Sequence, residues 1–386
     1  LERAESFGKP VEGFYIITNA TEYSQKQAQE NDAIFCIEED SILSSAELLT
    51  HQKAIKFLQE KNISHVVVFK PTKRIERICA EENIELLNPP ASLANRVEEK
   101  LSQIEWLGEL SELLPPHYVT TVKQIGMTQE PMMIQFNRAH TGTGTLLIET
   151  KEQLEKLKNT FPNRPVKVSA VINGYTLTVN GVVGSTVLVS SPSYQITGLA
   201  PFTQKKFATV GNDYALPRQL LDYKQLTQIQ ELANTIGKKL KSDGWKGAFG
   251  IDVLVDKNTK QVYLLEINAR QPASVSFESQ MQEQQKSKRS QALTTFEAHM
   301  LALLKQDFLS AKLIPVEQAA QITLRKSEKE IDLQKLQIAL SECTTIPYQN
   351  TEPESDLIRI QSQEPIMQND CIFNTLGKKI VDSIKS

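Results

Sequence analysis

The stretch "VYLLEINARQPAS", residues 262–274, decides the fold because an apolar strand here carries polar side chains at alternate positions. One residue separates Glu266 from Asn268, and one separates Asn268 from Arg270. Side chains along a strand alternate between the two faces of a sheet. The sequence therefore predicts a strand with one apolar face and one face that gathers an acid, an amide and a guanidinium.

The longer stretch "WKGAFGIDVLVDKNTKQVYLLEINAR", residues 245–270, predicts a strand, a five-residue polar turn at residues 256–260 and a second strand, which form a hairpin. This turn predicts that Asp252 lies opposite Leu264, with Glu266 diagonal to Asp252 at about 7–8 Å. The side chains expected to face the core are then Ile251, Val253, Leu265 and Ile267.

The polar face of this hairpin has the composition of a metal site. Asp252, Glu266 and Asn268 offer two carboxylates and an amide oxygen, which Mg²⁺ accepts together with phosphate oxygens. A cation also relieves the repulsion between two neighbouring carboxylates. The alternative is a hairpin with one solvated polar face, and spacing alone leaves both interpretations open.

A loop of small residues, "AHTGTGT" at residues 139–145, follows another predicted strand. Glycines let backbone amides approach an anion closely, and threonine hydroxyls can donate hydrogen bonds to it. The loop is not a P-loop, because no Gly-Lys-Ser or Gly-Lys-Thr follows, and a flexible turn is the alternative. Together with the hairpin it predicts a two-lobed nucleotide site whose loop residues are His140, Thr141, Gly142, Thr143 and Gly144.

Composition narrows the class of protein. The chain has 386 residues, and 43 basic against 46 acidic side chains give a formal charge of −3. This length predicts two or three domains, and the balanced charge gives no reason to expect nucleic acid or a membrane surface as partner. No apolar stretch is long enough to span a bilayer, and no signal-peptide pattern is present. None of the four cysteines lies in a CxxC pair, so a reducing, cytoplasmic location is expected.

Three regions are predicted along the chain. In residues 1–92, strands at 13–18, 33–38, 65–70 and 84–88 alternate with helices, which indicates a parallel α/β domain. Residues 93–315 hold the loop, the hairpin and one long helix at 217–242, with hairpin turns predicted at Asn173-Gly174 and Asn180-Gly181. Residues 316–386 read as a small C-terminal α/β appendage.

The stretch "GWKGAFGIDVLVDKNTKQVYLLEINARQPAS" resembles the ATP-grasp superfamily, especially its carboxylate–amine ligases and its biotin-carboxylase-like branch. The resemblance covers roughly residues 10–315 and implies a pre-ATP-grasp α/β domain followed by two lobes that sandwich ATP. It implies that Asp252, Glu266 and Asn268 hold one or two Mg²⁺ ions at the ATP phosphates. It also implies that Arg270 faces the substrate and stabilises an acyl phosphate or tetrahedral intermediate.

Other family positions match less well. A family lysine on the helix before the first lobe corresponds to Lys100 in "EEKLSQ", for which a solvated helix charge is the alternative. The family lysine before the glycine loop is replaced by Gln135 in "MMIQFN", so a neutral amide stands where a cation normally contacts phosphate. The usual adenine-hinge glutamate is absent, which leaves Ser169 to Val171 as the hinge candidate. Basic side chains that could compensate for Gln135 are Arg138, His140, Lys205 and Lys206.

The resemblance implies an ATP-dependent ligase that joins a small-molecule carboxylate to an amine through an acyl phosphate, with a homodimer as a candidate assembly. Two alternatives remain. One is a carboxylase-like ATPase that uses bicarbonate, and the other is an ATP-binding module without turnover, suggested by Gln135 and the missing hinge glutamate.

Overall fold

The structure, a computed structural model, describes residues 4–7, 10–137, 144–286, 292–327, 331–350 and 352–385. It is a mixed α/β protein, as the sequence predicts. None of the helices in these ranges is long and apolar enough to cross a membrane.

The N-terminal region pairs its strands in parallel. Strand β1 pairs with β2, and β3 pairs with β4. The helix predicted between the second and third strands is divided, because His51 is extended and its ring caps the second half. The elements are β1 Ile16–Asn19, α1 Glu22–Glu30, β2 Ile34–Ile37, α2 Ser45–Thr50, α3 Gln52–Glu60, β3 His65–Val66, α4 Lys73–Glu81 and β4 Glu85–Leu86.

Two helices lead to the next sheet, α5 Ala91–Glu98 and α6 Lys100–Leu107. The chain is extended at Glu99, with ψ of 133°, so Lys100 is the first residue of α6. The backbone N–H of Lys100 donates to the carbonyl of Asn137 at 3.3 Å. This contact places Lys100 at the end of the strand that precedes the Gly/Thr loop.

A four-stranded antiparallel sheet carries that strand, in the order β5-β8-β6-β7. Its apolar face packs under α7, around Ile134, Val166 and Val168. The opposite face therefore carries the residues between them. The elements are β5 His117–Thr121, β6 Met132–Phe136, β7 Thr145–Ile148, α7 Lys151–Thr160 and β8 Pro165–Ala170.

A larger sheet follows, in the order β14-β13-β9-β11-β12-β15-β17-β16, with β10 on β9. Strands from the last seventy residues thus continue the sheet that holds the hairpin. The domain boundaries predicted at 92/93 and 315/316 stay predictions. The strands are β9 Gly174–Val183, β10 Val187–Val189, β11 Ser193–Thr197, β12 Thr209–Asp213, β13 Gly247–Asp256, β14 Val262–Asn268, β15 Ala320–Arg325, β16 Thr344–Pro347, β17 Asp356–Ser362, and, in a separate pair, β18 Met367–Asn369 and β19 Ile372–Phe373.

The predicted turns at Asn173-Gly174 and Asn180-Gly181 are wrong. The first pair lies at the start of β9 and the second inside it. A Cβ on Gly181 would come within 2.6 Å of the Phe249 ring, so glycine here permits close packing between strands.

The helix predicted over residues 217–242 is two helices, α8 Pro217–Leu220 and α9 Tyr223–Ser242. Leu221 is extended, and Asp222 begins α9 with a capping box that includes Gln225. One face of α9 packs on the large sheet through Ile229, Ala233 and Leu240. The remaining helices are α10 Ser274–Gln285, α11 Thr295–Leu303, α12 Leu333–Ala339 and α13 Thr375–Lys385.

Candidate active site

The hairpin of β13 and β14 brings its two acids directly opposite each other. Asp252 pairs with Glu266, and the predicted pairing of Asp252 with Leu264 is wrong. The difference is two residues: the turn shifts the register by one, since Val255 pairs with Val262, and a β-bulge at Leu265 adds the second, because Val253 pairs with Leu264 and the ladder then skips one residue. Leu264, rather than the predicted Leu265, is therefore the fully buried core residue.

Asp252 is a half-buried member of a polar row that crosses four strands, β11, β9, β13 and β14. The hydroxyl of Thr178 on β9 donates to Asp252 Oδ1 at 2.8 Å, and Gln195 Nε2 donates to Thr178 Oγ1 at 2.7 Å. Asn268 Nδ2 donates to Asp252 Oδ2 at 3.4 Å. Burial and the neighbouring Glu266 charge raise the pKa of Asp252 to about 6, so its carboxylate favours a nearby cation.

Lys100 lies over this row. Its Nζ is 2.7 Å from Glu266 Oε2, and the residue is only 8% exposed, so the alternative of a solvated helix charge is wrong. Asn137 fixes the start of α6, since its side-chain oxygen accepts from the N–H of Leu101 at 2.9 Å. Asn137 Nδ2 also donates to Glu99 at 2.9 Å. The lysine is thus held between the end of β6 and the hairpin.

Lys167 is a candidate functional residue that the sequence reasoning missed. It lies on β8 directly opposite Gln135 of β6 and is 2% exposed. Burial first, and then the charge of Lys100, lower its pKa to about 8, while Glu266 opposes the shift. Alternation in "PVKVSA" could have found it, because core positions Val166 and Val168 flank it.

The Gly/Thr loop lies mostly outside the described residues. His140, Thr141, Gly142 and Thr143 fall there, as does Arg138, so their predicted contacts are not described. The described residue Gly144 accepts a hydrogen bond from the N–H of Phe136 at 3.0 Å.

The other predicted nucleotide contacts lie on or beside the four-stranded sheet. Gln135 Nε2 donates to Thr145 Oγ1 at 3.4 Å, across the β6–β7 pair. Ser169 is buried on β8, and Val171 follows that strand at 43% exposure. Both lie beyond Lys167, where the strand ends.

The remaining lysines proposed to compensate for Gln135 are exposed. Lys205 and Lys206 lie in the turn between β11 and β12. The same turn donates two hydrogen bonds to Glu354, from Thr203 at 2.7 Å and from Gln204 at 3.1 Å. Lys205 and Lys206 therefore lie beside the C-terminal segment that contains Glu354.

Arg270 points towards the N-terminal region. Its Nη1 forms an ion pair with Glu98 of α5, whose second oxygen is 2.7 Å from Lys70 Nζ. The neighbouring Gln271 N–H donates to the Phe69 carbonyl at 2.9 Å. The end of the hairpin therefore contacts residues 69–70 of the N-terminal region through Gln271 and Glu98. The predicted substrate role of Arg270 stays a prediction.

The oxygen atoms of the polar row suit a hard cation such as Mg²⁺ that also binds phosphate oxygens. Among the residues the structure describes, no three His, Cys, Asp or Glu side chains cluster as a closed metal site. Asp252 and Glu266 supply two carboxylates, and Asn268 can supply an amide oxygen. Mg²⁺ is commonly held by one or two carboxylates and completes its shell with water and phosphate oxygens.

Comparison with known proteins points to the part of the chain that contains Lys100 and the hairpin. A family model described as an ATP-grasp domain matches residues 97–274, while no curated protein sequence matches the chain. An N5-carboxyaminoimidazole synthase from Aspergillus clavatus, solved with ADP and 5-aminoimidazole ribonucleotide, has a similar structure with a TM-score of 0.68. The two are 16% identical over 100% of this chain and 95% of the other.

Two further solved structures are similar. The N5-carboxyaminoimidazole synthetase of Staphylococcus aureus has a TM-score of 0.63 at 13% identity, over 100% of this chain and 94% of its own. A biotin carboxylase from Campylobacter jejuni, solved as an ATP-analogue complex, has a TM-score of 0.61 at 16% identity. That match covers 94% of this chain and 84% of the carboxylase. At these identities the likeness establishes the fold.

Proposed function

We propose that this protein is an ATP-dependent ligase that joins a carboxylate to an amine through an acyl phosphate, and the match of residues 97–274 to a family model described as an ATP-grasp domain supports this. The observation that supports the proposal best is the direct pairing of Asp252 with Glu266 beneath Lys100. Like charges placed opposite each other destabilise a sheet, so such a pair is retained most readily where a cation occupies it.

In this proposal Asp252, Glu266 and Asn268 hold Mg²⁺, which neutralises charge on the β- and γ-phosphate oxygens. Glu266 would hold the metal together with Asp252, and Lys100, which contacts Glu266 at 2.7 Å in this structure, would be placed to bind a phosphate. The Gly/Thr loop covers the phosphates and excludes water, which would otherwise hydrolyse the activated carboxylate.

The chemistry consists of two displacements. A carboxylate oxygen attacks the γ-phosphorus, the bond from that phosphorus to the bridging oxygen breaks, and ADP leaves. The amine nitrogen then attacks the carbonyl carbon, the carbon–oxygen bond to the phosphoryl group breaks, and phosphate leaves as the nitrogen loses a proton. Arg270 lies two positions after Asn268 and is proposed to stabilise the charge that develops on the carbonyl oxygen.

The proposal is tested by ADP and phosphate release over a panel of carboxylates paired with amines, with and without Mg²⁺. A productive carboxylate is then labelled with ¹⁸O. An acyl phosphate transfers one labelled oxygen to the released phosphate, whereas direct hydrolysis of ATP leaves the phosphate unlabelled. Unlabelled phosphate from a productive pair would contradict the acyl phosphate.

Bicarbonate is included in the panel because the similar structures are named as carboxylating enzymes. Release that requires bicarbonate and an amine, with no other carboxylate active, would favour the carboxylase-like alternative. Nucleotide binding without release on any pair would favour the binding module.

A further inference from the structure

Lys167 is a buried cation whose charge no acceptor in the described residues satisfies. The residue is 2% exposed, and its ammonium makes no hydrogen bond or ion pair within the described ranges. An unpaired buried ammonium is costly, and such groups are normally paired or bound to a ligand. The position therefore calls for an anion that the described part of the chain does not supply.

The Lys167 side chain stands on the face of the four-stranded sheet that is turned away from α7, which we call the cleft face. Lys167 pairs directly with Gln135, and Gln135 pairs with Thr145, so all three point to the same side. The alternate positions Val166 and Val168 belong to the core on the other side. The cleft face thus carries an amide, a hydroxyl and one lysine on three neighbouring strands.

Nearby acids do not balance the lysines. Lys100 already occupies Glu266 Oε2 at 2.7 Å, and Asp252 is bonded to Thr178 at 2.8 Å. Burial first and the charge of Lys100 second lower the pKa of Lys167, and the charge of Glu266 only partly opposes this. At about pH 7 the Lys167 ammonium still carries its proton, since its pKa is about 8.

We propose that Lys167 binds a phosphate of the nucleotide, so that β8 supplies the cation that β6 lacks at Gln135. The inference rests on the proposed function for the identity of the anion. It makes Gln135 a neutral neighbour that leaves room for the lysine on the adjacent strand, because a second ammonium there would repel the first.

The test measures the Kd of ATP and of adenosine by calorimetry for the wild type, Lys167→Gln and the double variant Gln135→Lys/Lys167→Gln. Lys167→Gln is expected to weaken ATP binding roughly ten- to a hundredfold, the value of a charge-assisted hydrogen bond. Adenosine binding should stay unchanged, since it has no phosphate. The double variant moves the cation across one strand on the same face and is expected to regain most of the lost ATP affinity.

Each result decides one question. Unchanged ATP affinity in Lys167→Gln, with a wild type that binds ATP, would overturn the role of Lys167 and leave the proposed ligase intact. An equal loss for ATP and adenosine would also overturn it, because it would indicate a structural role. A wild type that binds no ATP would instead overturn the proposed function.

Thermal unfolding gives a second readout. Without nucleotide, Lys167→Met is expected to melt at the same temperature as the wild type or higher, because it removes an unpaired buried charge. The rise in Tm caused by ATP should be smaller in the variant. A lower Tm without nucleotide and an undiminished ATP-induced rise would contradict the proposal.

Discussion

Two polar clusters start from the same face of β9, two residues apart. They differ in whether each charged group has hydrogen-bond or ion-pair partners among the described residues. Thr178 leads to the cleft cluster, formed by Asp252, Glu266, Lys100 and Lys167. Asn180 leads to the core cluster, in which its side chain bonds to Ser274 and Glu278. Both clusters are largely buried, so burial alone does not distinguish a site from a packed interior.

The core cluster is closed around Glu278. The Thr295 hydroxyl donates to Glu278 at 3.1 Å and the Gln282 amide donates at 3.4 Å, in addition to the Asn180 contact. Burial nevertheless raises the pKa of Glu278 to about 7 against these donors. Within the described residues the carboxyl thus accepts hydrogen bonds from three side chains.

The cleft cluster has opposed acids and a lysine without an acceptor among the described residues, and this incompleteness is the reason why we propose it as the site. Variants in the cleft should therefore affect ligand binding and turnover, whereas variants in the core should affect stability.

The largest expected effect is in the cleft. Glu266→Gln should lower Mg²⁺-dependent ADP release at least about a hundredfold, because a metal ligand contributes several kcal/mol of charge stabilisation. Asp252→Asn should be milder if that carboxylate contacts only one of two ions. Glu231→Gln, at an exposed position on α9, is the matched control and should retain full activity. Undiminished turnover in Glu266→Gln would contradict the proposal that Glu266 binds Mg²⁺.

The core cluster should show the opposite result. Asn180→Ala removes a donor from a buried carboxyl and should cost roughly 1–3 kcal/mol in the free energy of unfolding, measured with denaturant. The Kd for ATP of the folded protein should not change. A variant that keeps its stability but loses nucleotide affinity would mean that the two clusters act as one site.

A pH test concerns His299, a buried group outside both clusters that contacts strand β13. Its Nδ1 accepts from the Ala248 N–H at 2.8 Å, and burial lowers its pKa to about 4. Between about pH 6.5 and 4 the unfolded chain binds a proton that the folded protein refuses, so stability falls as the pH falls. His299 alone contributes a loss of up to roughly 3 kcal/mol across this window, while the raised pKa values of Asp252 and Glu278 act in the opposite direction, so the effect of His299 is read as the difference from a variant.

His299→Asn keeps a side-chain acceptor for Ala248 and has no group that titrates there. Its unfolding free energy, measured from pH 7 to pH 4, should fall less steeply than that of the wild type. Parallel curves would mean that His299 is protonated inside the folded protein.

The smallest effect concerns the hydroxyl that orients Asp252. Thr178→Val should weaken the apparent Mg²⁺ affinity about tenfold, since a hydrogen bond to a charged group is worth roughly 1.5–3 kcal/mol and part of it is replaced by water. Thr178→Ser keeps the hydroxyl and should behave as the wild type in the Mg²⁺ dependence of ADP release. If both variants behave alike, the methyl group rather than the hydroxyl matters.

The sequence was sufficient for the hairpin and its acids, and for a resemblance that a family model repeats over residues 97–274, because alternation and spacing are local properties. It was insufficient for the register, since nothing in "YLLEIN" distinguishes a bulged Leu265 from a regular one. It also misassigned Asn180-Gly181, where glycine serves a contact with Phe249 that only the folded sheet creates. Lys167 was overlooked because its importance lies in its neighbours on other strands.

The bulge at Leu265 has a consequence for tolerated changes in chain length. Removing one residue from a strand ordinarily turns every following side chain to the other face. Here the residues on either side of Leu265 already alternate correctly, with Leu264 in the core, Glu266 in the cleft and Ile267 in the core. Deleting Leu265 would leave each side chain on its own side and would change the local bend and twist that aim Glu266. We therefore expect the fold to tolerate the loss of this one residue, which would adjust the direction of an acid without altering which residues are inside.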